Sequence, residues 1–349
     1  MSVQLSSPLP QAHVTTTLTD VTDKLPMKPP CRILLKNEME QPSGSFKLRG
    51  IGNLIHKSIM EATASSTNEI QVFASSGGNA GLAAAYSAWF YNVKCTVVLP
   101  VHSKPVVQRM LLKFNAKIVL FGNSINEADQ HLRNLMTSLD TSTTTPIYCH
   151  PFSHPLVWQG HSTLVDEVVQ QLSAPEVAKI RAMVCSCGGG GLYNGIYQGM
   201  VRNNITNSDI LLIETNQAPT LAESLKADKL ITLNSVNSLA TSLACSYTTQ
   251  QTLSNYKDTS VVSTKLELID DLDAIRACVD FERDFGKVVE PACGAALSIL
   301  YSKINLLYKN FGHLKEDDIV VLVACGGSCT TAEDIGGFKQ MLNRNDNRL

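Results

Sequence analysis

Charge is scarce in this chain, and neither sign is in excess. Only 17% of the 349 residues are Asp, Glu, Lys or Arg, and the formal net charge is -2. That balance excludes the basic footprint of a nucleic-acid binder and the polybasic face of a peripheral membrane protein. No apolar run is long enough to span a bilayer. The ten cysteines (31, 95, 149, 185, 187, 245, 278, 293, 325 and 329) contain no CxxC pair. Without paired Cys/His spacing a metal cluster is not expected, and thiols inside apolar runs imply a reducing compartment. No Arg precedes Arg32, and the first Lys is Lys24. An Arg-rich presequence is therefore not expected here, nor is a secretory peptide with its charged start and apolar centre. The cytoplasm is the expected compartment, with the mitochondrion left open, and the Ser/Thr/Pro-rich start is expected to be loose.

What is present suffices for a core: 44% of residues are hydrophobic, and the length allows one large or two ordinary domains. Strand-like and helix-like segments alternate. Residues 32–36, 70–74, 95–100 and 117–122 predict strands, and 47–61, 80–90 and 105–114 predict helices. The pattern restarts with a helix over 155–172 and strands over 182–186, 210–214 and 318–324, with one long helix over 291–307. A short Thr141-Ser142-Thr143-Thr144-Thr145 loop interrupts the series. Continuous β-branched runs between helices imply parallel strands covered on both faces, hence doubly wound α/β sheets. Two domains are expected, a large discontinuous one (1–45 and 151–349) and a small one (46–150).

Four segments could carry chemistry. Lys47 closes a small-residue turn, Pro42-Ser43-Gly44-Ser45-Phe46-Lys47, at the start of a helix. A desolvated lysine amine can act as a nucleophile toward an aldehyde, and Phe46 could lie on a flat ring. Ser75-Ser76-Gly77-Gly78-Asn79 follows a strand, where α/β proteins bind ligands. Its hydroxyls and N–H groups suit a carboxylate, and Asn79 suits a phenolic oxygen or a helix start. Gly188-Gly189-Gly190-Gly191-Leu192 lies between a strand and a helix, so its N–H groups can converge on a phosphate. A plain tight turn is the alternative. So is a dinucleotide, since the acidic Glu214 follows at roughly 20 residues, where a ribose ligand belongs. Cys325 ends the last strand. A neutral thiol beside a pyridine nitrogen cannot hold a proton on it as a carboxylate would; alone, it reads equally as a small buried hydrophobe.

Taken together and in this order, the segments resemble the fold-type II pyridoxal phosphate enzymes, specifically the L-serine/L-threonine dehydratases (ammonia-lyases). The resemblance covers roughly residues 30 to 335. It includes Pro155-Leu156-Val157-Trp158-Gln159-Gly160-His161 and Val289-Glu290-Pro291-Ala292-Cys293-Gly294-Ala295-Ala296. It implies a tryptophan synthase β-like fold with the cofactor in a cleft between the domains. It also implies that Lys47 bonds covalently to the cofactor aldehyde, Phe46 packs on the ring and Asn79 bonds its phenolic oxygen. Gly188 to Leu192 would hold the phosphate, Cys325 would face the ring nitrogen, and Ser75, Ser76, Gly77 and Asn79 would take the substrate carboxylate. Glu214, Ala218, Leu243 and Cys245 align with ligands of a monovalent cation such as K+.

The resemblance also sets an expected reaction. L-serine would become pyruvate, and L-threonine 2-oxobutyrate, with release of ammonia in a catabolic homodimer without a regulatory domain. The closest rivals are a β-replacement synthase of the cysteine synthase type and a serine racemase. Leu48-Arg49 after the lysine is the dehydratase pattern, and Gly77 stands where racemases carry a serine. Ser242 departs from the family's small apolar residue there. A dehydrogenase and an inactive cofactor-binding regulator are the readings from other classes.

Overall fold

Apolar β-branched runs form strands and the segments between them form helices in the computed structural model, which describes residues 9–346. The first half of the chain carries β1 (Leu18–Asp20), β2 (Arg32–Asn37), α1 (Lys47–Ser65), β3 (Glu69–Ala74), α2 (Asn79–Phe90), β4 (Lys94–Leu99), α3 (Pro105–Lys113), β5 (Lys117–Leu120), α4 (Ile125–Thr137), β6 (Thr144–Cys149) and α5 (Pro155–Gln171). The second half carries α6 (Ala174–Val177), β7 (Ile180–Ser186), α7 (Gly191–Arg202), β8 (Asp209–Thr215), α8 (Thr220–Lys226), α9 (Gln250–Lys257), β9 (Thr264–Ile269), α10 (Asp271–Phe285), α11 (Pro291–Leu297), α12 (Asn305–Phe311), β10 (Ile319–Ala324) and α13 (Ala332–Asp346).

The strands make two sheets. One has the order β5-β4-β3-β6 and is parallel throughout. The other has the order β1-β2-β10-β7-β8-β9 and is parallel except for the antiparallel β1–β2 edge. A parallel strand covered on both faces needs an unbroken apolar run. Strand β10, Ile-Val-Val-Leu-Val-Ala, is buried at all six positions. Each such Val, Leu or Ile contributes about 1.5–3 kcal/mol relative to exposure.

Two compact units contain these sheets. Of the described residues, 9–14, 41–43 and 47–160 go with the four-stranded sheet, and 15–40, 44–46 and 161–346 go with the six-stranded one. The expected domains put residues 9–14 and 151–160 with the six-stranded sheet, and the contacts explain the difference. His56 Nε2 donates to Leu9 O (2.8 Å) and Tyr91 OH to Pro10 O (3.0 Å), tying residues 9–10 to α1 and to the end of α2. The first turns of α5 sit on α1: Asn53 Nδ2 donates to Leu156 O at 2.7 Å. A Cβ at Gly160 would lie 2.2 Å from Arg49 O, so only glycine allows that approach.

Two local expectations change. The helix expected over 291–307 stops at Leu297. Ser298 turns its hydroxyl back to Ala295 O (2.7 Å), a 3₁₀ turn follows, and Tyr301 leaves helical geometry at φ -130°, ψ -110°. The expected Thr141–Thr145 loop gives its last two residues to β6, where Thr144 and Thr145 pair with Glu69 and Ile70. β-Branched threonines suit a strand whenever a partner edge is near. The expected loose start concerns residues 1–8, outside the described residues.

Candidate active site

Lys47 is the first residue of α1, and the turn before it is laced to the turn after β10. Ser45 bridges Gly326, Phe46 N donates to Cys325 O at 3.2 Å, and Gly327 N donates to Gly44 O at 2.9 Å. Phe46, partly buried, has its ring 4.9 Å from that of the buried His161. The Lys47 amine donates to the Pro151 carbonyl at 2.8 Å, just past β6. Beside it, His150 Nδ1 accepts from Ser153 N (2.8 Å) and Phe152 N (3.3 Å). Burial lowers the His150 pKa to about 4, so the ring is neutral at neutral pH.

The loop after β3 distinguishes its two serines. Ser75, 5% exposed, donates its hydroxyl proton to Asp129 Oδ1 at 2.5 Å. Ser76 Oγ instead accepts from Gly78 N at 3.2 Å, which leaves its own proton to give. Gly78 is the N-cap of α2 and Asn79, buried, is its first residue. The first N–H groups of a helix lack intrahelical partners and favour an anion.

The glycine run leads from β7 into α7, a helix of 12 residues. Gly190 caps α7 in the left-handed region, φ +84°. A Cβ there would lie 1.9 Å from Thr252 Oγ1 and 2.9 Å from the buried Thr248 hydroxyl. Gly188 lies against the Leu243 backbone and Cys245, and Leu192 is buried. A side-chain-free turn delivering backbone N–H groups at the start of a three-turn helix fits a phosphate ester. Taken separately, this turn fits the phosphate of pyridoxal phosphate, and the Lys47 amine of the four-stranded unit fits its aldehyde.

Cys325 is buried, and its contact with Cys293 together with burial pushes the thiol well above its usual range, so it stays neutral. Below it, Glu290 Oε1 accepts from Cys329 N at 2.7 Å and Oε2 accepts the Ser242 hydroxyl. The unexpected serine at 242 therefore turns its polar end to Glu290. Glu214 accepts from Leu221 N (2.7 Å) and Ala222 N (2.9 Å), and burial still raises its pKa to about 7. Ala218 bridges the residue after Glu214, while the Cys245 carbonyl takes the Thr220 hydroxyl at 2.6 Å.

The six-stranded unit thus brings Phe46 to Cys325, and Gly188 to Leu243 and Cys245. Lys47, Ser75, Ser76, Gly77 and Asn79 belong to the other unit. Sequence reasoning missed Asp129, which holds Ser75, and Thr252, which backs Gly190. Neither lies in a recognisable pattern. Glu290 and His161 lie inside motifs that were read, with no role attached to either.

The chain matches the profile of the family described as pyridoxal-phosphate dependent enzyme over residues 15–326. It is 39% identical to the catabolic L-serine/threonine dehydratase of Saccharomyces cerevisiae, over 92% of this chain and 89% of that protein. It is 34% identical to the L-serine dehydratase/L-threonine deaminase of Mus musculus, over 90% and 91%. The structure of a fungal L-serine ammonia-lyase from Rhizomucor miehei superposes with a TM-score of 0.82 at 27% identity, covering 95% of this chain and 99% of that one.

Proposed function

The chain belongs to the pyridoxal-phosphate dependent enzyme family, and we propose that it is an L-serine/L-threonine ammonia-lyase. The carrying observation is the backbone pairing of Phe46 with Cys325. It ties the turn that presents Lys47 to the strand end that presents a neutral thiol.

When bound, pyridoxal phosphate supplies the electron sink that makes the substrate α-hydrogen acidic. The Lys47 amine, released from Pro151, takes that proton as general base. The Ser76 hydroxyl and the N–H groups opening α2 hold the carboxylate. Asn79 and Phe46 would orient the ring, Gly188 to Leu192 would hold the phosphate, and the neutral Cys325 would leave the ring nitrogen without an acid. That would weaken the sink and favour loss of the β-hydroxyl close behind proton removal. The β-hydroxyl would take up a proton, balanced by the α-proton held on Lys47, and leave as water; hydrolysis of the released enamine would give pyruvate and ammonia from serine, or 2-oxobutyrate and ammonia from threonine.

Three further parts belong to the proposal. A monovalent cation such as K+ would sit by Glu214, Ala218, Leu243 and Cys245. Glu214 is buried and its oxygens meet the Leu221 and Ala222 N–H groups, and oxygen donors suit such a hard ion. A cytoplasmic site accords with ten free thiols, eight of them buried. The assembly would be a homodimer, the commonest closed form.

The test pairs absorbance with ammonia release from each amino acid. Native protein should show a visible-edge absorption that borohydride abolishes, and should turn over both substrates. Lys47→Ala should lose the absorption and the turnover together. Near-native ammonia release by Lys47→Ala would refute the assignment.

A further inference from the structure

Ser75 and Ser76 are adjacent in sequence, yet only one of them has its hydroxyl proton available. The Ser75 proton is committed to Asp129 of α4 at 2.5 Å. Asp129 is itself held from two other directions. Tyr148 of β6 donates to the same oxygen, Oδ1, at 2.7 Å, and Arg133, one turn along α4, donates to Oδ2 at 2.8 Å. Arg133 also donates to the Tyr148 hydroxyl at 2.7 Å and lies over its ring, 4.4 Å from the centroid. The backbone supports the same arrangement: Tyr148 pairs with Phe73, two residues before Ser75, in the parallel β3–β6 ladder. Burial raises the Asp129 pKa, but the hydrogen bonds from Ser75, Arg133 and Tyr148 more than reverse this, so it is ionised at neutral pH.

A carboxylate close to a loop that must receive a carboxylate is an electrostatic liability. Here Arg133 cancels the charge, and what remains is a strong acceptor aimed at the first residue of the loop. We propose that Asp129, with Arg133 and Tyr148, is a positioning residue that fastens the start of the 75–78 loop through Ser75, leaving Ser76 and the backbone as the groups that bind the substrate carboxylate. The inference rests on the proposed amino-acid lyase activity. It removes Ser75 from the groups that touch substrate and assigns a task to three side chains that lie outside every sequence motif.

Loosening the loop should weaken carboxylate binding without touching the proton-transferring amine. In the holoenzyme, Asp129→Ala should raise KM for L-serine about tenfold while kcat stays within about threefold. Ser75→Ala should do the same, and the double variant should be no worse than either single one, because both cut one link. Asp129→Asn, which keeps an oxygen facing Ser75, should recover most of the loss. Amide exchange of residues 75–79 should quicken in Asp129→Ala, with residues 188–192 unchanged. Multiplying KM effects in the double variant, or unchanged loop exchange in Asp129→Ala, would overturn the proposal by making Ser75 an independent substrate ligand or the cluster mere surface. Should Asp129→Ala fail to fold, Tyr148→Phe removes one donor to the same oxygen and must still quicken exchange of the loop. If native protein released no ammonia, the lyase reading would fall, while the exchange comparison would still decide whether Asp129 fastens the loop.

Discussion

Replacing Gly190 with alanine isolates what the glycine run requires of the protein itself. Gly190 sits at φ +84°, where an L-residue is strained by about 1–2 kcal/mol. The added Cβ would also lie 1.9 Å from Thr252 Oγ1 and 2.8 Å from Thr252 Cγ2. Thr252 is fully buried and bonded to Thr249 Oγ1 at 2.8 Å and to Asn194 Oδ1 at 3.3 Å, so it cannot swing aside without breaking those bonds. Overpacking of this kind costs about 1–3 kcal/mol, and the sum is a loss of about 2–5 kcal/mol. Urea unfolding followed by circular dichroism, at matched cofactor occupancy, measures it.

The partner variant separates the two causes. Thr252→Ala removes the two closest clashing atoms, leaving Thr248 Oγ1 at 2.9 Å, and by itself should cost about 1 kcal/mol for each hydrogen bond lost. In the double variant most of the clash is gone, the Thr248 contact remains and the backbone strain stays. The two losses should therefore fall short of additive by about 1–3 kcal/mol. Additive losses, or a Gly190→Ala protein as stable as native, would refute the packing argument. Glycine would then be needed at 190 only for what binds there.

Two other outcomes are expected. The His150 pKa of about 4 lies below the unfolded value, so the unfolded chain takes up the proton first as pH falls. The stabilisation is complete above about pH 6.5 and is lost toward pH 4, up to about 3 kcal/mol. His150→Asn, which keeps an acceptor for Ser153 N, should flatten this acid dependence in urea titrations at pH 5 and 7, and equal slopes for both proteins would contradict it. At Gly77, a new Cβ would lie 3.1 Å from Ser103 Oγ, a contact that a small shift of that hydroxyl relieves. Gly77→Ser should therefore fold, slow pyruvate formation and yield detectable D-serine by chiral chromatography. Native protein that racemises serine as fast as it deaminates it would defeat the dehydratase reading.

The parallel sheets were legible because burial on both faces leaves an unbroken apolar signature, as in β10. Strand β6 gives no such signal. Its residues Thr144, Thr145, Pro146 and Tyr148 are only partly buried, and the Thr run there reads as a loop until the edge of β3 is in place. The break at Ser298 was hidden for a different reason. Its back-bond to Ala295 O is a choice between two local geometries that Ala-rich neighbours permit equally.

In the site, legibility followed the range of the interaction. Glycine turns and a lysine at a helix start are local devices, and a few consecutive residues record them. Asp129 lies 54 residues from Ser75, and Glu290 lies 48 from Ser242. A carboxylate in a helix or before a proline looks the same whether it meets water or a hydroxyl. The two serines make the point most sharply. Side by side, they offered the same hydroxyl to the same expected ligand. Only the α4 carboxylate, with its charge already cancelled by Arg133, divides them into a fastening residue and a donating one. In the proposed reading, Asp129 and its two partners therefore decide which residues of the loop meet the substrate.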